Sequence, residues 1–399
     1  MNLEATPFRW PGSWTDPGRV DLLKGTPVNL ILLPPGTAFD GVRDRAKDAG
    51  IAAATDPPAG TAIVDGAWPG VKSTRGGGNP DAGPTGVPWV DSNGWLVRLT
   101  RAQHPGTTVW VEAPPKDRRM FPPASYELAV ADVAAHGGRW VLSLDPALAS
   151  QVTAEAPAWK RMMTAAAFFA ARPAWADYTA AAVLGVVSDY AGGNEFMGQE
   201  LLNLLARAGM NYRIVPKDRP DFAGLRALLY ADKEAPSAAL RKQAMSLVEA
   251  GGLLIAAPVW GAPGGRAQPA EHPRFSTSSV GKGRVAMAMA EPDDPWQLAN
   301  DSVVLVSHRH DLVRCFNSGS FASYYTHAPD RQKALVHLLF YADRGPGEAS
   351  VRVAGKYRNA RISTVDQPEP KAVPAEFGKD SVEVHLPPVP PYVALELSI

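Results

Sequence analysis

Between residues 183 and 224 the apolar and polar positions fall into three successive rhythms. VLGVVSD is an unbroken apolar run ending in an acid, the mark of a strand buried on both faces. YAGGNEFMGQELLNLLARAGM places a Gly-rich turn before an amphipathic helical stripe, and NYRIVP returns to strand. This βαβ unit opens a doubly wound α/β domain. The domain is predicted over residues 179–345 through LRALLYAD, the helix SAALRKQAMSLVEAGG, LLIAAPVWG and GKGRVAMAMA. Since it begins near mid-chain, the residues before it form a separate unit.

Upstream, VNLILLP, IAAAT, TAIVDG, VPWVDSNGW, TTVWVEAPP and RWVLSLD are strand candidates divided by helical or loop segments such as GVRDRAKDAG and SYELAVADVAAHGG. Repeated βα units predict a parallel sheet, and six strands rather than eight predict a reduced or incomplete (β/α) barrel over residues 1–155. A connecting helix follows over 156–178 and ends near Pro173. Within the α/β span, Pro295 to Asn317 reads as mostly helical and Ser320 to Arg344 as a hairpin. Past Gly345 the period drops to two in SVRVAG, NARISTV, SVEVHL and YVALELSI, which predicts a small β-sandwich-like domain over 346–399.

Composition narrows the function. Forty basic and forty acidic residues cancel, and no Lys/Arg run is interleaved with aromatics, so nucleic acid is an unsuitable partner. No stretch is long and apolar enough to cross a bilayer. A single cysteine, Cys315, allows neither an internal disulfide framework nor a Cys-based zinc site. The first residues lack the basic and apolar pattern of a secretory leader, which leaves a cytoplasmic protein or an exported mature form as alternatives. Thirty-eight Pro, 36 Gly and 11 Trp imply many ordered loops, and indole-bearing loops suit the apolar faces of sugar rings.

Four carboxylates, Asp65, Asp91, Glu112 and Asp145, stand at or just past the ends of predicted barrel strands. In a barrel those ends share the catalytic face. Each can also cap the turn or helix that follows, and Ser92, Asn93 and Gly94 favour that reading for Asp91. Glu112 is the sharpest candidate, because Pro114 and Pro115 forbid an immediate helix. Trp68, Trp89, Asn93, Trp95 and Trp110 surround the same strand ends as candidate sugar contacts, and residues 73–86 read as a loop over the mouth. At the end of the α/β domain's first strand, Asp189 and Glu195 occupy the edge where open sheets bind ligands. Asn194 and Glu195 equally suit a helix start, as cap and dipole partner. SHRHD puts His308 and His310 two apart on a predicted helix, a poor metal pair, so no metal or other cofactor is expected.

The segments VLGVVSDYAGGNEFMGQELLNLLARAGMNYRIV, LRALLYAD and VEAGGLLIAAPVWG resemble a class I glutamine-amidotransferase-like domain. Set between a (β/α) barrel with a helix and a β-rich tail, this arrangement is similar to that of family 42 β-galactosidases and related hypothetical glycosyl hydrolases. The resemblance covers about half the chain and implies a carbohydrate substrate, and a homo-oligomer formed through the amidotransferase-like domain. It also implies metal-independent hydrolysis by paired carboxylates. Strand-end position makes Glu112 the expected acid/base, with Asp91 or Asp145 as its partner. The chain departs from amidotransferases where a nucleophilic cysteine is needed: IAAPVWGAPGG offers Trp260 instead, so thiol chemistry is not expected. The first unit is also short for a full catalytic barrel. A catalytically silent glycan-binding or assembly protein is therefore the alternative expectation.

Overall fold

Six short parallel strands build the first unit in a computed structural model that describes residues 5–71, 90–113, 121–269, 272–342 and 345–399. Strands β1 (Pro7–Arg9), β2 (Leu30–Leu32), β3 (Ala52–Ala54) and β4 (Thr61–Asp65) come first. A two-residue antiparallel pair follows, β5 (Gly70–Val71) with β6 (Val90–Asp91), and then β7 (Thr108–Glu112) and β8 (Arg139–Trp140). One parallel sheet runs β1–β2–β3 and another β4–β7–β8. A bridge between Phe8 and Leu142, with the Arg9 amide donating to the Leu142 carbonyl at 2.8 Å, joins them into the order β3–β2–β1–β8–β7–β4. No ladder links β3 to β4 among the described residues, so the ring is open on that side.

Period-two alternation sorts the side chains of these strands. Leu30, Leu32, Ala54, Ile63, Trp110 and Val141 meet in one interior cluster contributed by five strands or strand ends. Their neighbours Ile31, Val109, Val111 and Leu142 face outward into the larger cluster that the surrounding helices complete. The helices of this unit are α1 (Asp40–Asp48), α2 (Gly94–Gln103), α3 (Pro123–Ala134), α4 (Pro146–Gln151) and α5 (Pro157–Ala170). Two expectations change here. The strand read around VPWVDSN is not part of the parallel sheet, and β1, too short to carry a pattern, takes a place in it.

From α5 the chain first lays down β9 (Thr179–Ala180), which belongs to a later sheet, and only then enters the α/β unit. The strands there are β10 (Leu184–Ser188), β11 (Tyr212–Pro216), β12 (Ala227–Tyr230), β13 (Leu253–Ala256), β14 (Arg266–Ala267), β15 (Phe275–Val280) and β16 (Gly283–Ala288). They pair in the order β11–β10–β12–β13–β16–β15–β14, with five parallel strands and an antiparallel edge. Helices α6 (Glu195–Arg207) and α8 (Pro295–Val306) cover one face, and α7 (Ala238–Glu249) covers the other. Both faces are therefore dry, which is why β10, β12 and β13 read as unbroken apolar runs.

The third unit is two antiparallel sheets packed face to face. One contains β17 (Val313–Phe316), β20 (Ala349–Ala354), β23 (Ala375–Phe377) and β24 (Ser381–Leu386) in the order β17–β20–β24–β23. The other contains β9 with β18 (Phe321–His327), β19 (Lys333–Phe340), β21 (Asn359–Ser363), β22 (Lys371–Ala372) and β25 (Tyr392–Ser398), in the order β22–β21–β25–β19–β18–β9. The hairpin expected after Ser320 is present, but it pairs into this sheet rather than the α/β one. Cys315, expected on a helix, lies in β17 opposite Val351, and burial pushes its thiol up from the usual range. α8 stops at Val306 because Ser307 takes a positive φ of 74°.

Candidate functional site

The C-terminal mouth of the six-stranded unit gathers three charged side chains that share the interior face. Arg9 closes β1, Asp65 closes β4 and Glu112 closes β7, and Asp65 and Glu112 are direct register partners on adjacent parallel strands. Arg9 grips Glu112 with both prongs of its guanidinium, Nε to Oε1 at 2.6 Å and Nη2 to Oε2 at 2.7 Å. The pair is mostly withdrawn from solvent, with the Glu112 side chain only 12% exposed. Such a bidentate contact at a half-buried position is among the stronger pairings a protein makes. Asp65 is exposed and forms no ion pair with a described residue.

The segment after Asp65 is held in place by its neighbours. Gly66 has no room for a side chain, since a Cβ there would meet Val111 and the Asn93 amide oxygen. Asn93 accepts from the Ala67 amide at 2.8 Å and donates to the Ala67 carbonyl at 2.9 Å, mimicking a strand partner. It is itself fixed by the buried Asp132 carboxylate, which also accepts from the Tyr341 hydroxyl at 2.8 Å. Trp68 donates to the Ala113 carbonyl at 2.8 Å and stacks on Phe121 with ring centres 4.2 Å apart. The loops leaving β4 and β7 are thus tied together beside the carboxylate pair.

The other expected residues are placed differently. Asp145 is fully buried, accepting from the Leu148 amide at 2.8 Å as the N-cap of α4 and from the Tyr126 hydroxyl at 2.6 Å. It is committed to capping and to Tyr126, so the catalytic expectation for it is replaced by a structural one. Asp91 pairs with Gly70 in the small antiparallel β5–β6 pair and does not stand at the end of a barrel strand. Trp110 fills the barrel interior at 1% exposure and offers no face to a sugar. Trp95 packs toward the core of the α/β unit, at a junction where the Ser92 hydroxyl also meets the Asn203 side chain at 2.8 Å. Trp89 and the loop 73–86 lie outside the described residues.

In the α/β unit, Asp189 and Glu195 do sit at the C-terminal edge of β10, where the strand order reverses. Asp189, Asp232 and Glu234 have carboxylate oxygens within 4.8 Å of one another, a spacing that suits a cation. The ammonium of Lys217 already stands among them, at 2.8, 3.1 and 3.0 Å respectively. Partial burial works against the charge of Asp189, but Lys217 and Asn194 outweigh it and hold its carboxyl below the usual range. Asn194 does not cap α6; it donates to Asp189 at 2.8 Å and accepts from the Lys233 amide at 2.9 Å. Glu195 is exposed on the first turn of α6. Trp260, at the turn where an amidotransferase would need its thiol, is buried against Tyr230 with ring centres 5.0 Å apart.

Sequence reasoning missed Arg9, Asp132 and Lys217. A signal existed for the first two, since an ionised side chain inside an apolar stretch (PFRW, LAVADVAA) demands a buried partner.

No protein-family model and no curated protein matches this sequence. Solved structures do. A β-galactosidase from Bacillus circulans sp. alkalophilus matches with a TM-score of 0.55 at 10% identity, over 90% of this chain and 66% of that one. The α-L-fucosidase isoenzyme 2 from Paenibacillus thiaminolyticus matches with a TM-score of 0.52 at 12% identity, over 74% of this chain. A rhamnosidase from Novosphingobium sp. PP1Y matches with a TM-score of 0.53 at 12% identity, over 90% of this chain. The chain spans 61% of the fucosidase and 38% of the rhamnosidase. At these identities the likeness establishes the fold. It is a mixed α/β, glycoside hydrolase-like fold.

Proposed function

We propose that this protein hydrolyses a glycosidic bond at the mouth of its reduced barrel, using Glu112 and Asp65. The observation that carries the reading is their placement: register partners on adjacent parallel strands, with side chains on the same interior face. Strands in a sheet lie about 4.8 Å apart. That separation suits the ~5–5.5 Å between carboxyl groups of a retaining enzyme better than the wider inverting gap. Glu112, held in a fixed orientation by the Arg9 guanidinium, serves as the nucleophile. The exposed Asp65 then serves as acid/base, which reverses the role first expected for Glu112. Trp68 and Asn93 shape the adjoining loop, and the α/β unit acts as a scaffold of amidotransferase-like type through which copies of the chain associate.

A second reading rests on the same Arg9. Because Arg9 occupies both oxygens of Glu112, the mouth can bind a glycan without cleaving it. A screen of chromogenic glycosides and oligosaccharides separates the two. The hydrolytic reading expects released sugar, and a fall on the order of 10²–10⁴-fold in kcat for Glu112→Gln and for Asp65→Asn. Full turnover in both variants would overturn it, and glycan binding without released sugar would establish the second reading.

A further inference from the structure

At the opposite edge of the α/β sheet from the Lys217 cluster, the N-terminal ends of β12, β13 and β16 open into a cavity of about 470 Å³. That volume lies in the range of small-ligand sites. Four of its lining residues are cations, Arg226, Lys282, Arg284 and Arg309, and His310 is a fifth basic side chain; among the described residues no carboxylate lines it. Gly251, Gly252 and Gly283 form part of the wall, where backbones approach so closely that a Cβ on Gly283 would meet the Gly252 carbonyl.

Cations at such an edge can simply offset helix C-termini, and α7 and α8 both end here. Two helix ends supply about one negative charge in all, at roughly half a unit each. Four cations exceed that. Arg284 serves a helix end, donating to the Leu305 carbonyl at 2.7 Å. Two acids adjacent in sequence to the wall are committed elsewhere or turned outward: Asp311 meets the His308 ring at 2.8 Å, and Glu249 is exposed and is not part of the wall. The excess shows at the one histidine in the wall. Burial and then Arg226, Arg309 and Arg284 depress the His310 imidazole below its usual range, and Asp311 only partly opposes them.

We infer that this cavity is a binding site for a small molecule bearing phosphate or sulfate groups. Guanidinium forks match tetrahedral oxyanions with paired hydrogen bonds, and three arginines surround one compact space. The site is separate from the barrel mouth and does not depend on hydrolysis there.

Titration of the full chain with sodium pyrophosphate and with sodium sulfate, each against sodium chloride at matched ionic strength, tests it by calorimetry. Saturable binding of either divalent or higher anion supports the site. Preference for pyrophosphate assigns it to phosphates, and equal or stronger binding of sulfate assigns it to sulfate esters. Binding no stronger than that of chloride overturns it. The double substitution Arg226→Gln with Arg309→Gln is expected to weaken binding at least tenfold while thermal stability holds or rises, because repulsion is relieved. Unchanged affinity in that variant also overturns the assignment. On the unaltered protein, the anion should raise the His310 titration midpoint followed by NMR, and no movement at saturation would equally refute it.

Discussion

Trp110→Ala is expected to lower the unfolding free energy by about 3–5 kcal/mol, the usual cost of truncating a large aromatic in a core. Trp110 is 1% exposed and lies at the centre of the interior cluster with Leu30, Leu32, Ile63 and Val141. A ring of short strands has little else to fill it, so the void would be flanked by strands that cannot close on it. Trp110→Phe should cost much less. Its indole N–H is buried without a hydrogen-bond partner among the described residues, so the substitution removes an unsatisfied donor along with some volume. Urea denaturation of both variants measures the difference. A loss below about 1 kcal/mol for Trp110→Ala, the size of an ordinary substitution, would mean that the interior is not a packed core.

The second large effect is on acid stability. His136 and His337 are buried at the meeting of the first and third units, and burial pushes both imidazoles down to about 3, aided by Arg98 and by His136 respectively. Against an ordinary value of 6.5 the unfolded chain takes up two protons that the folded one refuses. Their stabilisation is therefore complete above pH 6.5 and is lost as pH falls toward 3. Two buried carboxyls act in the opposite direction. Burial raises Asp132 to about 6 despite its bonds to Asn93 and Tyr341, and Glu127 to about 7 despite Arg161. Their folded forms gain protons before the unfolded ones, so stability rises as pH drops from 7 toward 4.5. The two pairs nearly cancel between pH 6.5 and 4.5. Below about 4 the unfolded carboxyls are protonated as well and the histidines act alone, at about 2.7 kcal/mol per pH unit for two protons. Melting temperature against pH should be nearly level and then fall steeply. Glu127→Gln should remove part of the compensation, so that its curve turns down nearer pH 6.5. A wild-type curve declining steadily from pH 6.5 would contradict this balance.

The α/β unit was legible because its strands are dry on both faces and its helices carry one apolar stripe; VLGVVSD can hardly be anything but a central strand. The barrel was legible only in outline. β1 is three residues long and gives no period, yet it carries Arg9, without which the state of Glu112 cannot be understood. Alternation does not say which face of TVWVE is interior, so Trp110 could not be assigned to a sugar contact or to the core. Asp145 and Asp91 share the strand-end signature of Glu112, and only tertiary packing separates a cap and a hairpin residue from a member of the mouth. The sandwich boundary was missed because β18 and β19 are apolar hairpin strands that suit either sheet. The partner of β19, β25, lies more than fifty residues further on.

That partner has a consequence for how the protein is made. β25 is inserted between β19 and β21, and Tyr392 and Ala394 also complete the apolar cluster shared with the first unit. Neither the large sheet nor the back of the barrel unit can close until the ribosome has passed Ser398. Until then β19 has one edge without its partner strand. Newly made chains thus carry an exposed, aggregation-prone surface through much of translation, and chaperone capture at this stage would govern the yield of native protein.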